Sequence, residues 1–193
     1  MLFVFNPIIG VINDALANLL NSMGSTSKVI LGIVLGGMMA IDMGGPINKA
    51  AYVFGTMSIA NGNYDIMAAV MVGGMVPPIG IALATTFFKN RFSRSERQTG
   101  MTNYVMGLAF ITEGAIPFAA ADPLHVIPAT AVGAAVAGAL SMVFGCTLMA
   151  PHGGLFVFPV VGNWPMYLVA LAAGSVITMF MLALLKKPVY KEN

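Results

Sequence analysis

The sequence predicts an all-α, polytopic membrane protein with about four to five transmembrane helices plus re-entrant hairpin or half-helix segments. Three observations carry this. Of the 193 residues, 58% are hydrophobic and only 8% charged, whereas a soluble domain carries roughly a quarter charged residues. Three runs, Ile66–Phe88, Val126–Ala150 and Pro165–Leu185, reach the about 20 apolar residues that cross a bilayer. Three other apolar stretches, Asp42–Ala60, Tyr104–Ala121 and Pro151–Gly162, are interrupted by glycine, proline and isolated polar residues. Broken backbone at membrane depth persists only inside protein or along a watery cavity, because lipid offers its N–H and C=O groups no partner. These three stretches therefore read as re-entrant elements.

In chain order, Leu2–Leu20 contributes a further span or an interfacial helix, and the short run Val29–Ile41 follows. The start, MLFVFNPIIG, has no basic region before its apolar stretch, and the first basic residue is Lys28. No cleavable signal peptide is expected, and the chain reads as beginning inside a larger membrane domain. Gly32 and Gly36 form a GxxxG pair. Ala131, Ala135 and Ala139 share one helix face, and Gly133, Ala137 and Ser141 another. Small residues at this spacing let helix backbones approach closely in lipid. The sixteen methionines read as lipid-facing or gap-filling side chains.

Charge sets the expected topology. Lys89, Arg91, Arg94 and Arg97 form one cluster, and Lys186, Lys187 and Lys191 another, which together hold seven of the nine basic residues. The positive-inside rule puts both in the cytoplasm. With the loop 89–99 inside, both clusters fall on one side if Tyr104–Ala121 enters and returns while Val126–Ala150 and Pro165–Leu185 cross. A full crossing by Tyr104–Ala121 would strand the C-terminal lysines outside. A net charge of +2 and the absence of a basic-aromatic stripe argue against nucleic acid. The single cysteine, Cys146, excludes an internal disulfide and a CxxC motif, and reads as a small buried thiol. Nothing in the pattern calls for a metal or other cofactor.

The polar residues of the apolar regions are few: Asp42, Asn48, Lys49, Thr112, Glu113, Asp122, His125 and His152. All lie in or beside interrupted segments, as expected where broken helices line a central transport site. Glu113 is the most informative. It sits in YVMGLAFITEGAIPFAAA, where Gly107, Gly114 and Pro117 break the helix. An ionised acid in hydrocarbon costs at least a few kcal/mol, so it faces a wet cavity or pairs.

At this point the strings DMGGPINKAAYVFG (Asp42–Gly55), FITEGAIPFAAADP (Phe110–Pro123) and MAPHGGLFVFP (Met149–Pro159) strongly resemble the IIC permease domain of fructose-type bacterial phosphotransferase systems. The likeness runs over almost the whole chain, with the motifs in the family's order. It covers roughly the C-terminal half to three-fifths of a complete IIC domain, without the IIA and IIB domains that carry the phosphorylated groups. The resemblance implies a bacterial inner-membrane, multi-pass, homodimeric permease. Such a permease binds an external fructose-like sugar and presents it to a phosphorylated IIB partner at the cytoplasmic face. It also implies that Ile111-Thr112-Glu113 is the counterpart of a GIxE-like motif whose glutamate holds the sugar. Phe110 departs from that motif, standing where it has glycine.

Residue chemistry points the same way. A carboxylate accepts charge-assisted hydrogen bonds from sugar hydroxyls, and Glu113 either does this or pairs with Lys49, or both. His152, in Pro151-His152-Gly153-Gly154, either donates to or accepts from a hydroxyl, or packs. His125, after Asp122-Pro123, either contacts ligand or holds the hinge. Asp42 and Asn48 are hydroxyl partners in this reading, Thr112 adds its hydroxyl, and Lys49 balances charge. The basic loop 89–97 is either a topology determinant at the headgroups or a docking surface for IIB. The alternatives are an ion-coupled secondary transporter with Glu113 or Asp42 as coupling carboxylate, and an inactive truncated membrane fragment. An intramembrane hydrolase is disfavoured, since neither HExxH nor GxSxG occurs.

Overall fold

Two hairpins entering from opposite ends and meeting at their tips organise the structure, a computed structural model that describes residues 25–188. The candidate span Leu2–Leu20 and Lys191 lie outside the described residues. Seven helices are described: α1 (Ser25–Ile41), α2 (Pro46–Ala60), α3 (Tyr64–Phe87), α4 (Arg94–Leu108), α5 (Ile116–Ala121), α6 (Pro123–Val143) and α7 (Trp164–Leu185). A two-residue antiparallel ladder, β1 (Thr147–Leu148) with β2 (Val161–Gly162), is added between α6 and α7.

Three helices, α3, α6 and α7, are long and apolar enough to cross a membrane, and α1 holds a shorter apolar stretch. The protein is an all-α polytopic membrane protein. Its centre is α3, whose apolar window is 89% buried against 44% in α6 and in α7. Its small residues permit this. A Cβ on Gly73 would lie 2.7 Å from Gly36 Cα of α1, and one on Gly80 would lie 2.5 Å from Thr178 of α7. Gly32 and Gly36 do form a close crossing, against Gly138 and Ala134 of α6. That stripe falls between the two α6 faces read from the sequence. Gly133, Ala137 and Ser141 are instead buried, with Gly133 touching Thr178 and Gly174 of α7. Close backbone approach supplies dispersion contact where lipid provides no hydrophobic drive.

The first hairpin is α1–α2. Lys28 near the start of α1 pairs with Asp65 at the start of α3 at 2.7 Å, and α2 ends three residues before α3 begins. Both feet therefore stand at one end of α3. The 15 residues of α2 extend about 22 Å, short of the roughly 30 Å hydrocarbon core, so Asp42–Ala60 is a half-helix as expected. Its turn holds Met43 and Gly44 at φ 43° and 103°. Pro46 then starts α2, where a missing N–H costs nothing. Asp42 completes the cap: Oδ2 accepts from Ile47 N at 2.7 Å and Oδ1 from Asn48 N at 2.8 Å.

The second hairpin, α4 to α5, enters from the opposite end. Ser93 and Glu96 form a reciprocal capping box at its start, with Ser93 N donating to Glu96 Oε2 at 2.7 Å. Its two feet meet at one residue. Lys186 Nζ lies 2.9 Å from Glu96 Oε1 in the first turn of the hairpin and 3.9 Å from Asp122 Oδ2 just after it. Arg91 donates to the Lys186 carbonyl, and the Lys186 ammonium sits 4.7 Å from the Phe92 ring centroid. Segment 104–121 thus leaves and returns at the same end, where the basic loop and the end of α7 also lie.

The predicted span Val126–Ala150 ends earlier, at Val143. Gly145 takes φ 60°, and the ladder pairs Thr147 with Gly162 and Leu148 with Val161. This closes the segment 149–160 into a loop that carries Pro151–Gly154 inward.

Candidate functional site

The three interrupted segments converge on one cleft. Met39 closes α1, and Asn48, Lys49 and Tyr52 come from α2. Phe110, Thr112 and Glu113 come from the turn after α4, and His152 from the loop before β2; together they line a cavity of about 250 Å³. Of the predicted site residues, the cleft brings together Glu113, Thr112, Asn48, Lys49 and His152. Asp42 stands outside it with both carboxylate oxygens committed to the α2 cap. His125 lies at the far foot of the second hairpin, its Nδ1 2.6 Å from Asp122 Oδ1.

Glu113 sits on a single 3-10 turn, Thr112–Ala115, and its side chain is exposed to the cleft. Lys49 is also exposed, and among the described residues no ion pair joins the two. The tips of the two hairpins touch here. A Cβ on Gly44 would lie 2.8 Å from Glu113 Oε1, at a backbone φ of 103° that side chains rarely adopt. Glycine lets the α1–α2 turn lie directly on the carboxylate.

Asn48 is buried, and its Nδ2 donates to the Met39 carbonyl at 2.7 Å. That bond satisfies a carbonyl at the end of α1 and fixes the amide, leaving Oδ1 as the acceptor it presents. Thr112 is 4% exposed, and its hydroxyl donates to the Gly74 carbonyl of α3 at 2.9 Å. Gly154 seats the third segment: it has φ 56°, and a Cβ there would strike the carbonyl of Leu108 and the backbone of Phe110. This contact places the His152 ring 5.1 Å from the Phe110 ring.

Two wall residues escaped the reading of polar residues alone. Tyr52 and Phe110 form an aromatic side of the cleft, with ring centroids 6.3 Å apart. Tyr52 follows Asn48 by four residues and Lys49 by three, so helical spacing puts all three on one face, a usable signal. Phe110 holds φ 61°, the left-handed region that ordinarily selects glycine, at a cost of order 1–3 kcal/mol. The departure from the GIxE-like motif therefore falls on a position whose backbone still has glycine-like geometry.

The cleft offers a charged acceptor, a cation, an amide oxygen, an imidazole and an aromatic wall. Such a set has the chemistry to hydrogen-bond the hydroxyls of a neutral, polyhydroxylated ligand and to contact its C–H faces.

Comparison with known proteins places the chain in a family. The chain is 56% identical over 192 residues, its whole length and 30% of the relative's, to the "PTS system fructose-specific EIIABC component" of Bacillus subtilis (strain 168). It is 54% identical over its whole length, and 63% of the relative's, to the "Fructose permease IIC component" of Bacillus amyloliquefaciens. The chain belongs to the fructose-type IIC family of sugar phosphotransferase systems. An archaeal relative, the "PTS system fructose-specific EIIC component" of Haloferax volcanii, is 46% identical over 92% of this IIC chain and 48% of its own. The chain spans between about a third and two thirds of the length of these IIC relatives. No family model and no solved structure matches it.

Proposed function

We propose that the chain is the sugar-binding and translocating part of a fructose permease, working in a phosphoenolpyruvate-dependent phosphotransferase system. The observation that carries this is the convergence of Glu113, Lys49, Asn48 and His152 in one cleft built from three broken segments. In this reading Glu113 accepts hydrogen bonds from two sugar hydroxyls, and Asn48 Oδ1 accepts a third. Lys49 and His152 donate to sugar oxygens, while Tyr52 and Phe110 face the ring's C–H surface. The polar groups of a sugar lose water on binding, and only a site that replaces each lost hydrogen bond recovers that cost.

The phosphorylated partner is a IIB domain approaching from the cytoplasm. Two names support it: the Bacillus subtilis relative is an EIIABC component and the Rhodobacter capsulatus relative an EIIB'BC component. The end bearing Lys89, Arg91, Arg94, Arg97 and Lys186 is the cytoplasmic one by the positive-inside rule. A permease of this kind resides in the cell membrane as a multi-pass protein.

Equilibrium fructose binding to the Glu113→Gln protein tests the site. Losing a charged partner costs roughly 1.5–3 kcal/mol, so affinity should fall about tenfold to a hundredfold. Unchanged affinity removes Glu113 from the site. Uptake by membrane vesicles tests the energy source: it should require the phosphoenolpyruvate-fed relay, and uptake that persists without the relay overturns the assignment.

A further inference from the structure

Thr112 lines the cleft, yet its hydroxyl hydrogen is committed elsewhere, to the carbonyl of Gly74 at 2.9 Å. The acceptor is a special one. The helix α3 contains consecutive prolines, Pro77 and Pro78. Within a helix each N–H serves the carbonyl four residues back, and proline has no N–H to give. Pro78 therefore brings no donor to the carbonyl of Gly74, inside the most deeply buried helix of the molecule. Gly74 also clears the approach: a Cβ there would lie 2.9 Å from Thr112 Oγ1 and 2.8 Å from Met39 Cε.

The partner at the other end of this bond needs an anchor. Glu113 rides on one 3-10 turn, Thr112–Ala115, which begins two residues after a left-handed Phe110. An isolated 3-10 turn has poor internal hydrogen-bond geometry, and a strained residue persists only where its surroundings hold it. The bond spans 38 residues of sequence and joins this turn to the one helix that every hairpin packs around.

We propose that Thr112 is a positioning residue for the sugar-binding carboxylate. Its hydroxyl clips the Glu113 turn to the α3 carbonyl that Pro78 leaves without a helical donor, and so fixes where Glu113 stands in the cleft. The helix break and the binding turn are one device, in which the double proline creates the acceptor that holds the glutamate in place. The proposal rests on the reading of the cleft as a sugar site, and its test separates the two.

Thr112→Val keeps the shape and removes the donor, and Thr112→Ser keeps the donor. In sugar-free protein, amide hydrogen exchange over residues 112–115 should speed up in Thr112→Val and stay near wild type in Thr112→Ser. Fructose affinity should fall about tenfold in Thr112→Val, the cost of an unpaired buried carbonyl, with Thr112→Ser close to wild type. In a Glu113→Gln background the same Thr112→Val change should add little, because the clip acts through Glu113. Unaltered exchange in Thr112→Val overturns the clip. An affinity loss that adds in full to that of Glu113→Gln also overturns it, since that marks direct contact between the hydroxyl and the sugar. If wild-type protein binds no fructose, the sugar reading falls, and exchange alone judges the clip.

Discussion

At the scale of single residues, Phe110 holds a backbone conformation that ordinarily selects glycine. Its φ of 61° suits glycine, while its ring holds His152 at 5.1 Å and Tyr52 at 6.3 Å. Two truncations separate these terms. Phe110→Ala loses the ring and keeps the strain, whereas Phe110→Gly loses both. The glycine variant should therefore unfold at higher temperature than the alanine variant, by the equivalent of about 1 kcal/mol. Equal unfolding temperatures in detergent micelles would show that this backbone stores no strain. That Glu113, Asn48, Lys49 and His152 share one cleft was foreshadowed in the sequence, because an isolated polar residue in an apolar run has few reasons to be there. Asp42 was not separable from them by sequence. Its role depends on the turn at Met43–Gly44, which aims the carboxylate at Ile47 N and Asn48 N.

At the scale of elements, the feet of the second hairpin are joined by ionic contacts. Burial raises the Glu96 carboxyl, but the Lys186 ammonium and the Ser93 N–H outweigh it and hold the group below its usual value of 4.5. A carboxylate depressed in the fold stabilises fully above its unfolded pKa, and that stability is lost as pH falls through the lower, folded value. The gap in unfolding temperature between wild type and Glu96→Gln should hold steady above pH 4.5 and narrow below it. A gap that stays constant through acid would detach Glu96 from the hairpin's stability. The long spans were readable because about 20 apolar residues have one common use. The end of α6 was not, because Gly145 and the two-residue ladder that stop it lie in sequence as apolar as the helix. The Ser93–Glu96 capping box was present as a plain S-x-x-E pattern beside the more conspicuous arginines.

For the whole molecule, charge alone indicated that segment 104–121 returns to its own side, and the shared contacts of Lys186 with Glu96 and Asp122 give that return a geometry. The opposed α1–α2 hairpin was hidden. Its first arm, α1, is apolar enough to pass for part of a span, and only the Lys28–Asp65 pair shows where its foot stands. The sidedness has a direct check. A cysteine placed at the exposed Ser95 should resist an impermeant thiol reagent applied outside intact cells and react once the membrane is opened. Buried Cys146 stays silent in both. Labelling from outside would invert the topology.

Gly44 lying against Glu113 leaves the two turns no spare room. A methyl group at position 44 would meet the carboxylate oxygen at 2.8 Å, on a backbone of φ 103° that side chains rarely adopt. Any bulk added there must part the turns or swing the carboxylate aside, so the shape of the cleft at this point is set by the lack of one side chain.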